Sequence, residues 1–152
     1  MPAYSIRRLL WGGPTATLVA ILMNILYFSV TKALGEKYLI PLTGNASRLD
    51  PLSVAMLIIA ILVPGLAAAV FFGLLIHFAR KPAMIFLSVA ITALLVSFGG
   101  PFSLPAGTMQ TKILLSGMHV IAAVVITGGI LFFSRNKNSS PGKQPSKPES
   151  SS

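Results

Sequence analysis

Of the polar residues inside the long apolar runs of this 152-residue chain, three lie at depths where their side chains could do chemistry together. Asn24 lies in the first run, Thr92 in the third and His119 in the fourth. By helical rise, Asn24 lies about 11 Å below Thr31 at the end of its run, and His119 lies about 9 Å below Ile113. Thr92, six residues before Phe98, comes to nearly the same level. A polar cluster of the three groups in the outer half of a helical bundle is therefore geometrically permitted, provided that their helix faces converge.

The conformation of the stretch "SFGGPFSLPAG" determines whether this cluster lies in an open depression or is packed between helices. If the third helix stops at Phe98 after about 24 Å, irregular backbone follows within the membrane and must be buried or face water. It would then cap a shallow outward depression with His119 in its floor. In the alternative, the helix continues, Pro101 starts an exposed turn, and His119 is an interhelical hydrogen-bond partner worth about 0.6 kcal/mol. The candidate pocket residues are Asn24, Thr92, Ser97, Gly100, Pro101, Ser116 and His119.

Several chemistries are excluded by residues that the apolar runs lack. No Asp, Glu, Lys or Arg lies in the inner two-thirds of any run, so the embedded carboxylate of a proton-coupled exporter is missing. Glu36, Asp50 and Glu149 lie outside the runs, and the chain has no cysteine. His119 as a general base would have neither a nucleophile nor an orienting carboxylate. We therefore expect a protein that is not an enzyme.

Cofactor and metal sites are not indicated either. The two histidines, His77 and His119, lie roughly 15 to 20 Å apart by helix rise, too far to ligate one haem within one chain. A symmetric dimer that shares His119 pairs stays open but has no support. No zinc, P-loop or nucleotide fingerprint occurs, so we expect no cofactor and no metal.

Composition assigns the chain to the membrane. Hydrophobic residues make up 54% of it and charged residues only 10%, against about 25% charged residues in soluble domains. The net charge of +9 comes mainly from residues at the ends of the apolar runs. This pattern indicates anionic headgroups as partners and not nucleic acid. A homo-oligomer or another membrane-protein partner stays open.

The fold class predicted is an all-α, integral membrane four-helix bundle over residues 1–134. At 1.5 Å per residue the four runs reach roughly 35, 42, 24 and 32 Å, against a hydrocarbon core of about 30 Å. Pro64 and Gly65 predict a kink in the second run. Residues 135–152 are predicted to be a disordered, basic cytoplasmic tail. The predicted spans are residues 9–31, 52–79, 83–98 and 113–133.

Lysine and arginine predict the orientation. With both ends inside, eight basic residues lie in the cytoplasm and four outside, which favours N-in and C-in in a multi-pass protein of the inner (plasma) membrane. Arg7 and Arg8 before an apolar run also fit a signal peptide. However, the run is long for one, and residues 31–33 are a poor cleavage site, so we predict an uncleaved first span.

Small residues recur at four-residue spacing on two spans. Such faces let helix backbones approach closely in lipid. Whether they pack within one bundle or between protomers stays open at this point. The predicted packing residues are Gly12, Ala16 and Ala20 in the first span and Gly65, Ala69 and Gly73 in the second.

Two segments, "LWGGPTATLVAILMNILYFSV" and "LVSFGGPFSLPAGTMQTKILLSGMHVIAAVVI", resemble a family of small bacterial four-span membrane proteins of unknown function. The shared features are an asparagine in the first span, a Gly-Pro break after the third and a Met-His pair early in the fourth. The resemblance covers about residues 5–134. It implies a four-helix integral membrane fold, draws attention to Asn24, Gly100, Pro101 and His119, and supplies no activity.

Two functions follow as hypotheses. The first is a non-enzymatic accessory or interaction subunit, motivated by the small-residue faces and the absence of buried charges. The alternative is a small-molecule transporter or binding protein that uses an outward-facing pocket at Asn24, Thr92 and His119.

Overall fold

A computed structural model describes residues 4–40, 50–103 and 108–135. Four helical segments in this part are long and apolar enough to cross a membrane, with Pro82 to Phe102 counted as one segment. This confirms an all-α protein with four candidate spans. A two-residue antiparallel pairing in the first loop is the only sheet in the described part. The elements are α1 (Ile6–Ala33), β1 (Leu39–Ile40), β2 (Asp50–Pro51), α2 (Val54–Phe78), α3 (Pro82–Ser97), α4 (Gly99–Phe102) and α5 (Met109–Ser134).

The helix bounds follow local chemistry. Ser53 caps α2 by accepting the N–H of Met56 at 3.2 Å, and Thr108 caps α5 by accepting the N–H of Thr111 at 3.1 Å. Pro82 occupies the first turn of α3, where a missing N–H is harmless. The predicted spans 9–31 and 113–133 lie inside α1 and α5, whereas 52–79 extends slightly beyond α2 at both ends.

The end of the third span differs from both sequence-based alternatives. Helical hydrogen bonds continue beyond Phe98, since Phe102 N–H donates to the Phe98 carbonyl at 3.2 Å. The segment therefore reaches Phe102, and its 21 residues span roughly 31 Å. Pro101 is buried and so does not start an exposed turn. Because Pro101 has no N–H for the Ser97 carbonyl, a break between α3 and α4 is expected there. Residues 104–107, and the predicted tail beyond Arg135, lie outside the described residues.

The two ends of the described chain lie on one side of the bundle. Ser5 N–H donates to the Ser134 carbonyl at 2.9 Å, and Tyr4 pairs with Arg135. We call this side, which also carries the α2–α3 turn, the terminal face. The opposite side, with the loops after α1 and α4, is the loop face.

Helix α1 is the most buried of the four and packs between α2 and α5. A Cβ on Gly65 would lie 2.6 Å from Thr17 of α1, and a Cβ on Gly12 would overlap Phe133 of α5. Small residues therefore set the approach of these backbones. All six predicted packing residues lie within this bundle: Gly12, Ala16 and Ala20 are buried on α1, Gly65 is buried on α2, and Ala69 and Gly73 are half-buried there.

Helix α3 lies at the edge of the bundle and is held mainly near its two ends. Near the terminal face, Phe86 is buried, with its ring centroid 4.8 Å from that of Phe72. Near the loop face, α4 packs against α5 and buries Pro101. Between these anchors α3 has no buried residue, so its middle rests loosely on the other helices.

The loop face is closed by the chain that follows α1. Tyr38 is buried, and its hydroxyl lies 2.5 Å from that of Thr31. Burial raises the pKa of the Tyr38 hydroxyl above its ordinary value, and the hydrogen bond between Tyr38 and Thr31 only partly opposes this. Thr111 in the first turn of α5 donates a hydrogen bond to Glu36. The chain after α1 is thereby fixed against the bundle beside the first turn of α5.

Candidate ligand-binding cavity

A cavity of about 390 Å³ lies between α2, α3 and α5, in the half of the bundle nearer the loop face. Its walls are mostly aliphatic, and Asn24 of α1 contributes to its lining. This volume falls within the range of about 300 to 1,000 Å³ that is typical of small-molecule sites. Aliphatic lining residues include Leu57, Ile61, Leu94, Met118 and Ile126.

The packing of α3 explains why the space is left open. The part of α3 that faces the cavity carries Ala90 and Ala93, and α5 presents Ala122 and Ala123 to the same space. Methyl side chains cannot fill the gap between helices that are held apart at their ends. The cavity is therefore a consequence of small residues in the middle of a helix anchored by larger residues elsewhere.

Asn24 supplies the most unusual polar atom of the cavity. The side chain is fully buried, and its Nδ2 donates to the Ala20 carbonyl at 2.9 Å. Its Oδ1 is a buried side-chain oxygen that has no hydrogen-bond partner in the described structure. An unpaired buried acceptor costs about 1 to 3 kcal/mol. Within the protein, Asn24 thus carries an acceptor that its own fold leaves unused.

His119 adds a second acceptor on the same cavity. Its Nδ1 lies 2.8 Å from the Leu115 carbonyl one turn earlier. Since a carbonyl can only accept, Nδ1 carries the proton in this hydrogen bond, and Nε2 of the neutral ring is left as an acceptor. The half-buried His119 ring lines the cavity together with Asn24.

Two prolines leave further acceptors among the lining residues. Pro64 lies within the continuous helix α2 and has no N–H for the carbonyl of Ala60, and both residues line the cavity. Pro101 likewise leaves the carbonyl of Ser97 without its helical donor, and Ser97 also lines the cavity. The Ser97 hydroxyl donates to the Leu94 carbonyl at 2.7 Å, so its oxygen can accept. These groups of the lining residues are acceptors, while the hydroxyl of Thr127, which also lines the cavity, can donate or accept.

The structure brings together three of the residues predicted for the pocket: Asn24, Ser97 and His119. Thr92 does not join them, since it lies on the exposed side of α3 and its hydroxyl donates to the Ser88 carbonyl at 3.0 Å. The face of α3 that carries Thr92 therefore points away from the cavity.

The other predicted pocket residues also lie outside the cavity. Gly100 is exposed on α4, and a Cβ there would meet nothing within 4 Å. Pro101 is buried in α4 and is not a lining residue. Ser116 is half-buried, and its hydroxyl donates to the Lys112 carbonyl at 2.8 Å. For Gly100 and Pro101 the difference arises because the third span continues to Phe102, which displaces the Gly-Gly-Pro segment from the position predicted for it.

The predicted kink residues have different positions. Pro64 lines the cavity, while Gly65 faces α1 on the packed side of α2. Helix α2 is continuous through both, and the predicted bend stays a prediction. Sequence reasoning missed Thr127 and the alanine-lined wall as parts of the site. Alanines on α3 and α5 at matching depth were the available signal, but alanine is common in any apolar helix.

Four apolar helices around a cavity with buried acceptors define a small four-span membrane protein. Residues 4–135 match the family of unknown function DUF6069, and the chain belongs to this family. The resemblance predicted from the sequence is thereby confirmed, including its lack of an assigned activity. A comparison with curated proteins and one with solved structures found no match.

Proposed function

We propose that this protein binds a small, mainly apolar molecule that carries a hydrogen-bond donor, in the cavity between α2, α3 and α5. The unpaired Oδ1 of Asn24 is the observation on which the proposal rests. A buried acceptor without a partner is destabilising, and a donor in the cavity would remove that penalty once a shift of the buried Asn24 side chain brings Oδ1 into contact with it. In this role the protein is a non-enzymatic binding protein.

The lining residues specify the chemistry of the ligand. Aliphatic walls favour a hydrocarbon body, and acceptors at Asn24, Ser97 and His119 favour a hydroxyl or amide N–H at one end. A carboxylate or phosphate would place negative charge beside these acceptors and is disfavoured. A neutral alcohol of about ten carbons has the required combination of an apolar body and one donor.

The position of α3 suggests how such a molecule enters. Its middle is not buried against the bundle, so a lipid-soluble ligand can reach the cavity sideways from the bilayer between the two anchors of α3. No aqueous channel is needed for this route. Binding, with release to either the bilayer or a partner, is therefore the minimal function, and transport is an extension of it.

The charge distribution supports a cytoplasmic terminal face. The described residues of this face include Arg7, Arg8, Arg80, Lys81 and Arg135, whereas Lys32, Lys37 and Lys112 lie toward the loop face. An excess of basic residues marks the cytoplasmic side. We accordingly propose N-in and C-in topology in the plasma membrane, with the cavity in the outer half of the bilayer.

Photolabelling with a matched pair of probes tests the proposal. One probe is a ten-carbon primary alcohol with a diazirine and a terminal alkyne, and the other is its methyl ether, which cannot donate a hydrogen bond. We expect the alcohol to label the α3 and α5 walls about fivefold more than the ether in nanodiscs, since one hydrogen bond contributes about 1 kcal/mol. Peptide mapping by mass spectrometry locates the label.

Two variants complete the experiment. Asn24→Leu should remove most of the difference between alcohol and ether, because the buried acceptor on which the proposal rests is gone while Ser97 and His119 remain. Thr92→Val is the matched control, since Thr92 lies outside the cavity on the exposed side of α3, and it should preserve the difference. Equal labelling by both probes in the unaltered protein, or a preference that persists in full in Asn24→Leu, would overturn the proposal.

The accessory-subunit hypothesis has one supporting observation, the apolar outer face of α3, on which Met84, Leu95 and Val96 are well exposed. The small-residue faces no longer support it, because they are occupied within the chain. Energy transfer between two dye-labelled populations in vesicles tests self-association. A signal that persists on dilution with lipid would support it, and a fall to the level of random proximity would exclude a homo-oligomer.

A further inference from the structure

A second concave site, distinct from the cavity, lies on the terminal face between α1 and α5. Its volume is about 630 Å³, and it is lined by Arg7, Arg8, Trp11, Gly12, Thr15 and Phe133. We propose that this groove binds the phosphodiester headgroup and upper chain region of an anionic phospholipid. The inference does not depend on the ligand proposed for the cavity.

Charge supports the proposal. The first turn of α1 contains no acidic residue, and the acidic residues of the described part, Glu36 and Asp50, belong to the chain that joins α1 to α2 at the opposite end of the bundle. Arg7 and Arg8 therefore have no carboxylate partner within the described bundle. Guanidinium groups bind phosphate oxygens through two parallel hydrogen bonds, and unpaired arginines beside a groove are suited to this.

The shape of the groove supports a lipid in particular. Arg8 Nη1 donates to the Arg135 carbonyl at 2.9 Å, which ties the guanidinium to the end of α5 and leaves its other N–H groups for a ligand. Gly12 has no side chain, and a Cβ there would overlap Phe133. Phe133 of α5 therefore packs directly over Gly12, and the lining of the groove extends from Arg7 to Thr15 along α1 instead of ending at the arginines.

The depth along α1 matches the layers of a lipid leaflet. Thr15 lies seven residues after Arg8, or about 10 Å further along the helix. Headgroup and interfacial layers together occupy about 5 to 7 Å on each side of the hydrocarbon core. With Arg8 at the phosphate, the exposed ring of Trp11 lies at the interface, where tryptophan is enriched. Thr15 and Phe133 then border the beginning of an acyl chain. A free phosphate ion would leave this part of the groove empty.

Trp11 is the single tryptophan of the chain and reports on the groove directly. The protein is reconstituted in phosphatidylcholine nanodiscs that contain a small, equal fraction of either brominated phosphatidylglycerol or brominated phosphatidylcholine. We expect Trp11 fluorescence to be quenched more by the anionic lipid. The preference should fall roughly fivefold in each of Arg7→Gln and Arg8→Gln, the equivalent of about 1 kcal/mol per basic residue.

Arg80→Gln is the matched control, because Arg80 lies on the same face in the α2–α3 turn and does not line the groove. It should preserve the preference. Equal quenching by both lipids, an unchanged preference in Arg7→Gln and Arg8→Gln, or an equal loss in Arg80→Gln would overturn the proposal. Inorganic phosphate at constant ionic strength should not relieve the quenching. If it does, the groove binds the free anion and not a lipid.

Discussion

Replacement of Asn24 by leucine should stabilise the ligand-free protein while removing its recognition of a donor. Leucine has the same number of side-chain heavy atoms as asparagine and no polar atom. In most proteins the loss of a buried polar residue destabilises the fold. Here the opposite sign is expected, because Oδ1 of Asn24 has no partner in the described structure.

The size of the effect follows from the two polar atoms of the side chain. Removal of the unpaired Oδ1 recovers about 1 to 3 kcal/mol, whereas loss of the hydrogen bond from Nδ2 to the Ala20 carbonyl costs about 0.5 to 1.5 kcal/mol. The neighbouring cavity gives the leucine methyl groups room, which limits overpacking. The net change is a gain of about 1 kcal/mol, or roughly fivefold in the folding equilibrium.

This change in the free energy of unfolding is measured in mixed micelles, where steric trapping monitors the unfolding equilibrium. Thr17→Val is the matched control, because Thr17 is equally buried on α1 but its hydroxyl donates to the Gly13 carbonyl at 2.9 Å. No gain in stability is expected there. A loss of more than about 1 kcal/mol in Asn24→Leu would refute the reasoning, because it would mean that Oδ1 has a partner within the folded protein.

Gly129→Ala should destabilise the bundle by about 1 to 3 kcal/mol, because the new Cβ would lie 2.5 Å from the Cβ of Ala16. In the same unfolding assay, Gly128→Ala should stabilise the bundle by about 0.5 to 1 kcal/mol, because a Cβ there meets nothing within 4 Å. Equal effects of the two substitutions would contradict the packing described. Burial raises the pKa of Tyr38, so its folded state favours the neutral phenol. The stabilisation that results from this preference should be fully present below about pH 10 and should be lost as the pH rises through the raised pKa. In alkaline melting curves, Tyr38→Phe should therefore reduce the loss of stability at high pH. For the neutral form of His119, nitrogen NMR should show the tautomer with the proton on Nδ1, and the opposite tautomer, with the proton on Nε2, would contradict the acceptor assigned to the ring.

Much of the fold could be predicted because hydropathy and length are properties of the chain itself. Four apolar runs each longer than or close to the bilayer core predict four spans without knowledge of packing. The end of the third span was harder to predict from the sequence. Gly-Gly-Pro is typical of a break, yet α4 continues the helix for one more turn since Pro101 gives up only one hydrogen bond and is buried against α5.

The candidate site was only partly predictable, because depth along a helix can be counted and facing direction cannot. Residue counting placed Asn24, Thr92 and His119 at similar height, and the structure places only Asn24 and His119 on the cavity. The direction of Thr92 depends on how α3 is rotated about its axis. That rotation is set by Phe86 near one end and Pro101 near the other, contacts that no single-helix pattern reveals.

The central claim is that a bound ligand donates a hydrogen bond to Oδ1 of Asn24. The side-chain carbonyl carbon of Asn24 reports on this hydrogen bond most directly. In asparagine-labelled protein in nanodiscs, this ¹³C resonance is assigned by its disappearance in Asn24→Leu. Addition of decan-1-ol should move it downfield, while the methyl ether of the same alcohol should leave it in place, because only the alcohol can donate to Oδ1. A resonance that responds to neither compound, or equally to both, would contradict the claim that this acceptor selects the ligand.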